Sequence, residues 1–285
     1  MKAYVSILSW PGDMPDAQRL EALVAATGLD PHTAKQRLAR GTPQVTMSIE
    51  APLAAAVVSA LTSSGVLAFA PTDEDLAAVP PPLRVKRLVR PEGTPLPMYL
   101  AELWKGDPEG LRCDQVELLV RARVDQSTVR TIIGADPAGF SLLHPSHFGV
   151  GPTSVMAAAA GMDLHGGLPA VRTTTSSHES RHLVDLFTRD GRRLRCDSAK
   201  FNFDVLGKDR GISDLQSTER LALRLAEECQ NAQIDTGFRD FRCGGDIIAS
   251  TSRSLGGATI VKRDESPVFE FYSAWSYCLH KAQSA

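Results

Sequence analysis

Two histidines separated by a glutamate give this sequence its clearest chemical signal. His178-Glu179-Ser180-Arg181-His182 has the spacing His-Glu-x-x-His. In zinc peptidases this spacing puts two imidazole ligands on one helical face, and the glutamate acts as general base on the metal-bound water. Here the string follows a Thr/Ser run and leads straight into a predicted strand, so a helix is not favoured. An exposed polar loop is the simpler interpretation, and a zinc-dependent hydrolase using His178, Glu179 and His182 is the alternative.

Three more histidines, His144, His147 and His165, fall in a stretch that the sequence predicts to be rich in loops. Imidazole is a common metal ligand, so convergence of these residues with His178 and His182 would form a metal site. Scattered surface histidines would give the same sequence. Metal ligands are therefore predicted only under the hydrolase alternative.

Two carboxylates stand beside aromatic residues, Asp204 after Phe203 and Asp235 before Phe238. Paired carboxylates can perform acid–base catalysis. Alternating aromatic and polar residues are also typical of core-facing strands with an ion pair at the surface. We favour this structural interpretation of both segments.

Composition excludes several classes of protein. The chain has 285 residues, a net charge of −2 and five cysteines. The near balance of charges argues against a general polyanion-binding role, so no nucleic-acid partner is expected. The cysteines are widely spaced without a Cys-x-x-Cys pair, which predicts neither a disulfide framework nor a zinc ribbon. The N-terminus lacks the apolar segment of a signal peptide, and a cytoplasmic protein is expected.

The most apolar run, residues 51–70, carries no charge and is long enough to be considered as a membrane span. It contains Pro52, a cluster of serines and threonines, and Gly65. These residues favour a helix of small residues, a glycine turn and a short strand. We therefore expect no membrane partner.

Residues 1–72 predict the element order β-α-α-β-α-β. Strands are expected at 4–8, 44–49 and 66–70, and helices at 16–27, 31–40 and 52–64. Asp16 is placed as the cap of the first helix, and Gly28 ends that helix in a left-handed conformation. Asp30 caps the second helix, with Pro31 at its first position.

This order resembles the C-terminal domain of ribosomal protein L7/L12. Ala26-Thr27-Gly28-Leu29, then Ala34-Lys35, then Pro43 before a strand, and a helix ending in Ser64-Gly65 carry the resemblance, which covers about a quarter of the chain. The resemblance implies the fold of a small docking domain. It is an analogy of fold, and function must come from the surface residues.

The surface differs from the ribosomal family where that family binds translation factors. The family presents basic residues on the first helix, whereas this chain has Asp16, Glu21 and Val24 there, and only Lys35 of the basic set remains. We predict these four residues as a partner-binding surface. The changed charge argues against binding of translation factors.

The remaining chain predicts a linker and a larger domain. Residues 73–98 contain three consecutive prolines and a basic alternating segment, interpreted as a linker with an edge strand. Residues 99–285 predict a strand-rich α+β domain of unknown type. Its expected elements include strands at 116–124, 128–133, 246–250 and 258–262, a hairpin around Asp190-Gly191, a helix starting at Asp214, and a closing helix at 268–281. In that last helix Phe271, Trp275, Cys278 and Leu279 are predicted to form one buried stripe.

The fold class expected from the sequence is α+β, a small L7/L12-like domain followed by a larger strand-rich domain. The expected function is non-enzymatic: an adaptor or regulatory component of a cytoplasmic bacterial assembly, with another protein as partner and no cofactor. The zinc-dependent hydrolase is the alternative.

Overall fold

The computed structural model describes residues 1–91, 93, 97–134, 156–159, 171–242, 249–255 and 258–284, and these form a mixed α+β protein. The elements in chain order are β1 (Lys2–Ser9), α1 (Asp16–Thr27), α2 (Pro31–Leu38), β2 (Gln44–Glu50), α3 (Ala51–Ser63), β3 (Leu67–Phe69), α4 (Asp73–Ala78), β4 (Leu83–Val89), β5 (Met98–Leu103), β6 (Glu109–Arg112), β7 (Val116–Gly134), β8 (Met156–Ala159), β9 (Val171–Thr188), β10 (Arg193–Asp197), α5 (Asp214–Glu228), β11 (Gln233–Asp235), β12 (Ala249–Leu255), β13 (Ala258–Asp264) and α6 (Ser266–Ser284).

Residues 1–72 have the predicted element order, and the predicted turn residues explain it. The Asp30 carboxylate accepts hydrogen bonds from the backbone N–H groups of His32 (3.1 Å) and Thr33 (3.0 Å), as a helix cap does. Gly28 ends α1 with φ 69°, a left-handed conformation that favours glycine. The predicted cap of α1 is wrong: Pro15 is the capping residue, and Asp16 is the first residue of the helix.

The first three strands form an antiparallel sheet in the order β2-β1-β3. Helices α1, α2 and α3 pack on one face of this sheet. The core between them consists of buried apolar side chains, among them Val5, Ile7, Leu23, Ala34, Ala54, Leu61 and Val66. The apolar run 51–70 is thus helix α3, a turn at Gly65 and strand β3, as predicted. Among the described residues no helix is long and apolar enough to cross a membrane.

Contacts group the chain into two compact units. The first contains Met1–Arg123, Arg181–Ile247 and Val268–Ala285, and the second contains Val124–Ser180 and Ile248–Pro267. The boundaries lie inside β7 and β9 and not at residues 72 and 98, so residues 1–72 belong to a larger unit.

Part of the predicted linker 73–98 is ordered secondary structure. Helix α4 begins with a capping box between Thr72 and Asp75. Strand β4 lies between β10, which is parallel, and β5, which is antiparallel. The prediction of an edge strand is therefore wrong. A bulge between Val85 and Arg87 replaces strict alternation, so that two neighbouring basic residues are exposed while Val85 and Leu88 are buried.

In the first unit, the larger sheet has the order β9-β10-β4-β5-β6. The predicted hairpin is confirmed: β9 and β10 pair as antiparallel strands, and Gly191 in their turn has φ 84°. Helix α5 covers one face of this sheet with Leu221, Ala222 and Leu225. Its first N–H groups are capped by Ser213, whose Oγ accepts from the Gln216 N–H (3.2 Å).

The closing helix α6 is present as predicted, but its burial differs. Trp275 is 2% exposed, whereas Phe271, Cys278 and Leu279 are only half-buried. The buried residues include the consecutive run 272–276. Five neighbouring residues cover every side of a helix, so the middle of α6 is enclosed all round and the predicted single stripe is wrong.

The second unit consists of strands among the described residues. Strand β13 pairs antiparallel with β12 and with the second half of β7, and β8 pairs with the start of β9. The two strands predicted at 116–124 and 128–133 are one continuous strand. Strand β9 begins at Val171, inside the stretch predicted to be loop, and the strand predicted at 246–250 is described only from Ala249.

Candidate protein-docking surface

We use the term α1–α2 corner for helices α1 and α2 together with the turn at residues 28–30. The predicted partner-binding residues are spread over it, from Asp16 at the start of α1 to Lys35 in the last turn of α2. Asp16, Glu21 and Lys35 are exposed, and Val24 is half-buried against the core of residues 1–72. Asp16 contacts Nη1 of Arg19 at 3.4 Å within the first turn of α1. The corner thus presents acidic side chains on α1 and a basic side chain on α2, while Val24 contributes mainly to packing.

Local hydrogen bonds hold this corner in one conformation. The Thr27 hydroxyl donates to the Leu23 carbonyl (2.5 Å) and accepts from the Leu29 N–H (3.3 Å). The Gly28 N–H donates to the Val24 carbonyl (2.9 Å). Hydrogen bonds from Thr33 lower the pKa of Asp30, which keeps this cap ionised. The two helices therefore display their charges at a fixed angle.

A second feature of this surface is the outer side of α3. This helix has no charged residue, and Leu53 is 61% exposed beside the exposed Ala55, Ala56 and Ala60. Helix α3 packs against α1, so an uncharged surface adjoins a charged one. The sequence contained the signal, a run of twenty uncharged residues, but the prediction of a helix there did not identify its exposed side as a candidate surface.

The opposite face of the small sheet is covered by α6. Trp275 Nε1 donates to Ser6 Oγ (2.9 Å), and the ring of Tyr4 meets that of Phe271 edge-on at 5.0 Å. Phe241 lies beside Trp275 with ring centroids 5.1 Å apart. Because α6 occupies this face, helices α1, α2 and α3 form the outward side of residues 1–72.

A buried charge network, which sequence reasoning missed, holds α6 against the β9–β10 hairpin. Asp185 on β9 is fully buried and accepts from both Arg193 and Arg195 on β10, at distances of 2.6–3.0 Å. Ser273 on α6 also donates to Asp185 (2.6 Å), and Glu270 on α6 contacts both arginines.

The charges of this network balance, because two guanidinium groups face two carboxylates. Burial raises the pKa of Asp185, but the arginines and Ser273 outweigh burial, and the net pKa lies below its usual value. Burial likewise disfavours the charged form of Arg195 and lowers its pKa. Asp185 and Glu270 outweigh burial, so the net pKa of Arg195 is raised. Because the charges balance and the buried groups form hydrogen bonds, we interpret this network as a structural one that anchors α6.

The His-Glu-x-x-His string lies on strand β9 and not on a helix. His178 is exposed and His182 is half-buried. Residues four apart in a strand are separated by about 13 Å, since each residue advances about 3.3 Å. The helical arrangement that the zinc peptidase motif needs is therefore missing at residues 178–182. The exposed loop expected for this string is wrong, because the residues belong to a strand, and the zinc-dependent hydrolase stays an untested alternative.

His182 occupies a partly buried position. Burial lowers the pKa of its imidazole, and the positive charges of Arg121 and Arg123 lower it further against the influence of Glu219. No group of three metal-ligating side chains occurs within the residues that the structure describes. His144, His147 and His165 lie outside those residues.

The two carboxylates singled out in the sequence do not meet in a catalytic pair. Asp204 is exposed and accepts from the Asn202 side-chain amide (2.8 Å). Asp235 accepts from the Tyr272 hydroxyl (2.5 Å) and the Gly237 N–H (2.8 Å), and it also contacts Ser276. Asp235 thus fixes α6. The core-facing strands expected for the two segments are wrong, because residues 204–209 and 237–239 form short helical turns.

No protein-family model matches this chain, and no curated protein or solved structure is significantly similar to it. The resemblance of residues 1–72 to the ribosomal L7/L12 C-terminal domain therefore stays a prediction.

Proposed function

We propose that this protein is a non-enzymatic adaptor or regulatory component that binds another protein through the outward side of α1, α2 and α3. We also propose that residues 1–72 are an L7/L12-like docking module followed by a larger strand-rich α+β region. The observation that carries the proposal is the coverage of the small sheet by α6, which leaves the three helices as the exposed side of the module.

The chemistry of this side suits a protein partner. Its uncharged part is α3 with Leu53, and its charged part is the corner with Asp16, Glu21 and Lys35. Protein interfaces commonly combine an apolar centre with a polar rim. Glu21 on α1 favours a basic group on the partner, and Lys35 on α2 favours an acidic one, so a partner with both signs of charge fits this surface.

A pair of charge-reversed variants tests the surface. In the full-length protein, Glu21→Lys changes an exposed glutamate on α1, and Glu227→Lys changes an exposed glutamate on α5. Each protein is immobilised and the partners it captures are quantified by mass spectrometry. We expect a partner that binds the wild type and Glu227→Lys but loses most of its binding to Glu21→Lys. Equal binding to all three proteins would show that the corner is not the docking surface.

Two further measurements challenge the proposal directly. Micromolar binding of a translation elongation factor would show that the changed charges do not exclude the ribosomal partners. Stoichiometric zinc in the purified protein, lost in His178→Ala, would favour the hydrolase over the adaptor.

A further inference from the structure

Strands β4 and β5 expose one side of the larger sheet to solvent. On the other side, Val85 and Leu88 of β4 and Tyr99 of β5 are buried in the core. Because successive side chains of a strand point to opposite faces, the residues between these positions point away from the core. We call this exposed side, over residues 84–89 and 100–104, the β4–β5 outer face.

A tryptophan lies at one end of this face. Trp104 directly follows β5, and its N–H donates to the Arg84 carbonyl (3.0 Å), which extends the pairing of β4 with β5. Its backbone is thus held in place, yet Trp104 is 50% exposed. At the other end of the face, the exposed Val89 lies opposite the half-buried Leu100. Exposed apolar side chains with a tryptophan among them are typical of protein-binding surfaces, where tryptophan often contributes most of the binding energy.

Basic side chains outnumber acidic ones on the β4–β5 outer face. Arg87 donates to the Glu102 carboxylate across the two strands (2.5 Å), so these two charges compensate one another. Arg84 and Lys86 are exposed on β4, and the exposed Lys105 follows the tryptophan. In the part of the chain that the structure describes, Arg84, Lys86 and Lys105 form no ion pair. Three positive charges without a counter-charge therefore lie on this face or directly beside it.

We propose that the β4–β5 outer face binds an extended acidic peptide segment of a partner protein, in which carboxylate and apolar side chains both occur. The carboxylates of the segment pair with Arg84 and Lys86, and its apolar side chains pack on Trp104 and Val89. Side chains on one face of a strand recur about every 7 Å, and an extended peptide presents alternate side chains at the same interval. This face is formed by other elements than the side of α1, α2 and α3, so it gives the protein a second binding surface that does not depend on the first.

The charge pattern favours a peptide over a nucleic acid. Glu102 lies in the middle of the face, between Leu100 and Trp104 in the chain. The hydrogen bond from Arg87 lowers the pKa of Glu102, and the positive charge of Lys86 lowers it further, so this carboxylate is ionised. A nucleic acid carries a phosphate on every nucleotide and would bring one close to this negative charge. A peptide places an uncharged residue there.

Fluorescence anisotropy with labelled probes tests the proposal on the full-length protein. The main probe is a short peptide of alternating aspartate and leucine. A peptide of alternating lysine and leucine and a single-stranded thymidine oligonucleotide of similar length are the comparison probes. We expect the protein to bind the acidic peptide, and to bind it more weakly as salt is added, because salt screens exposed charges. The basic peptide should not bind.

Variants locate the binding site on the protein. Lys86→Glu and Trp104→Ala should each weaken binding of the acidic peptide by about tenfold or more, because one reverses a contact charge and the other removes the aromatic contact. The matched control is Lys262→Glu, which reverses the charge of an exposed lysine on β13 and should bind as the wild type does. All three positions are exposed, so thermal melts should show an unchanged fold.

The outcomes separate this proposal from the docking surface on the helices. Glu21→Lys, which tests that surface, should bind the acidic peptide like the wild type, so either proposal can fail without the other. Three results would overturn the present one: no binding of the acidic peptide to the wild type, equal binding to Lys86→Glu, Trp104→Ala and the control, or tighter binding of the oligonucleotide than of the acidic peptide. The last result would assign the face to a nucleic acid.

Discussion

Replacement of Asp185 by asparagine should strongly destabilise this protein. Asp185 is fully buried and accepts five hydrogen bonds, two each from Arg193 and Arg195 and one from Ser273. Asparagine has nearly the same shape but no charge. Among the described residues, the variant would leave the two buried guanidinium groups with Glu270 as their only carboxylate partner, and Glu270 is 43% exposed.

The expected loss follows from the cost of an uncompensated buried charge. Removal of one partner of a buried ion pair typically costs about 3–5 kcal/mol. Domains have free energies of unfolding of about 5–15 kcal/mol, so this loss is a large fraction of the total. The matched control is Glu270→Gln in the same network. Because that carboxylate is partly exposed and solvent screens it, we expect a loss of about 1 kcal/mol or less.

Equilibrium urea unfolding followed by circular dichroism measures both variants under the same conditions. A lower midpoint with an unchanged slope identifies a change in stability and not in the extent of unfolding. The reasoning is refuted if Asp185→Asn loses no more free energy than Glu270→Gln. That result would mean that the two arginines find compensation in solvent, and that the network does not anchor α6.

Three further predictions use the same kind of measurement. Trp275→Ala should lower the free energy of unfolding by about 3–5 kcal/mol, since Trp275 is a buried aromatic residue. Trp275→Phe should lower it less, because this variant loses mainly the hydrogen bond to Ser6. Equal losses of stability in thermal melts of the two variants would contradict this. Gly28→Ala should lower the free energy of unfolding by about 1–2 kcal/mol, because Gly28 has φ 69° and a Cβ atom is strained in this left-handed conformation. The control is Gly12→Ala, which has no atom within 4 Å of the added carbon and should have little effect on the melting temperature. The folded state lowers the pKa of Asp185, so its stabilising contribution is present above the unfolded pKa of about 3.9 and is lost as the pH falls through the lower folded value. Unfolding measured from about pH 5 downwards should therefore show a smaller acid-induced loss in Asp185→Asn than in the wild type.

Local interactions made much of the fold predictable. Asp30 and Pro31 define the start of α2, Gly28 ends α1, and Asp190-Gly191 forms the hairpin turn. Each of these features depends on residues within a few positions of one another. Capping, turn geometry and side-chain periodicity are properties of such short segments, and for this reason the elements of residues 1–72 were predicted with nearly correct bounds.

The same local reasoning failed where distant segments decide the outcome. The alternation in residues 84–90 predicts an edge strand, but the neighbours of β4 come from residues 98–103 and 193–197. His178 and His182 have the spacing of a metal motif, but they lie in the long strand β9, whose pairing with β10 begins at Leu183. Sheet partners are separated by many residues in the chain, so no short pattern specifies them.

The sequence by itself determined the mixed α+β class and the local elements, including the helices whose outward side we propose as the docking surface. Only the tertiary structure decided that the middle of α6 is enclosed on all sides, and that Glu270 and Ser273 of this helix meet the charged residues of the β9–β10 hairpin. The reason is physical: burial and ion pairing require two groups at the same place, and the meeting of residues 75 to 88 positions apart depends on the packing of the whole unit.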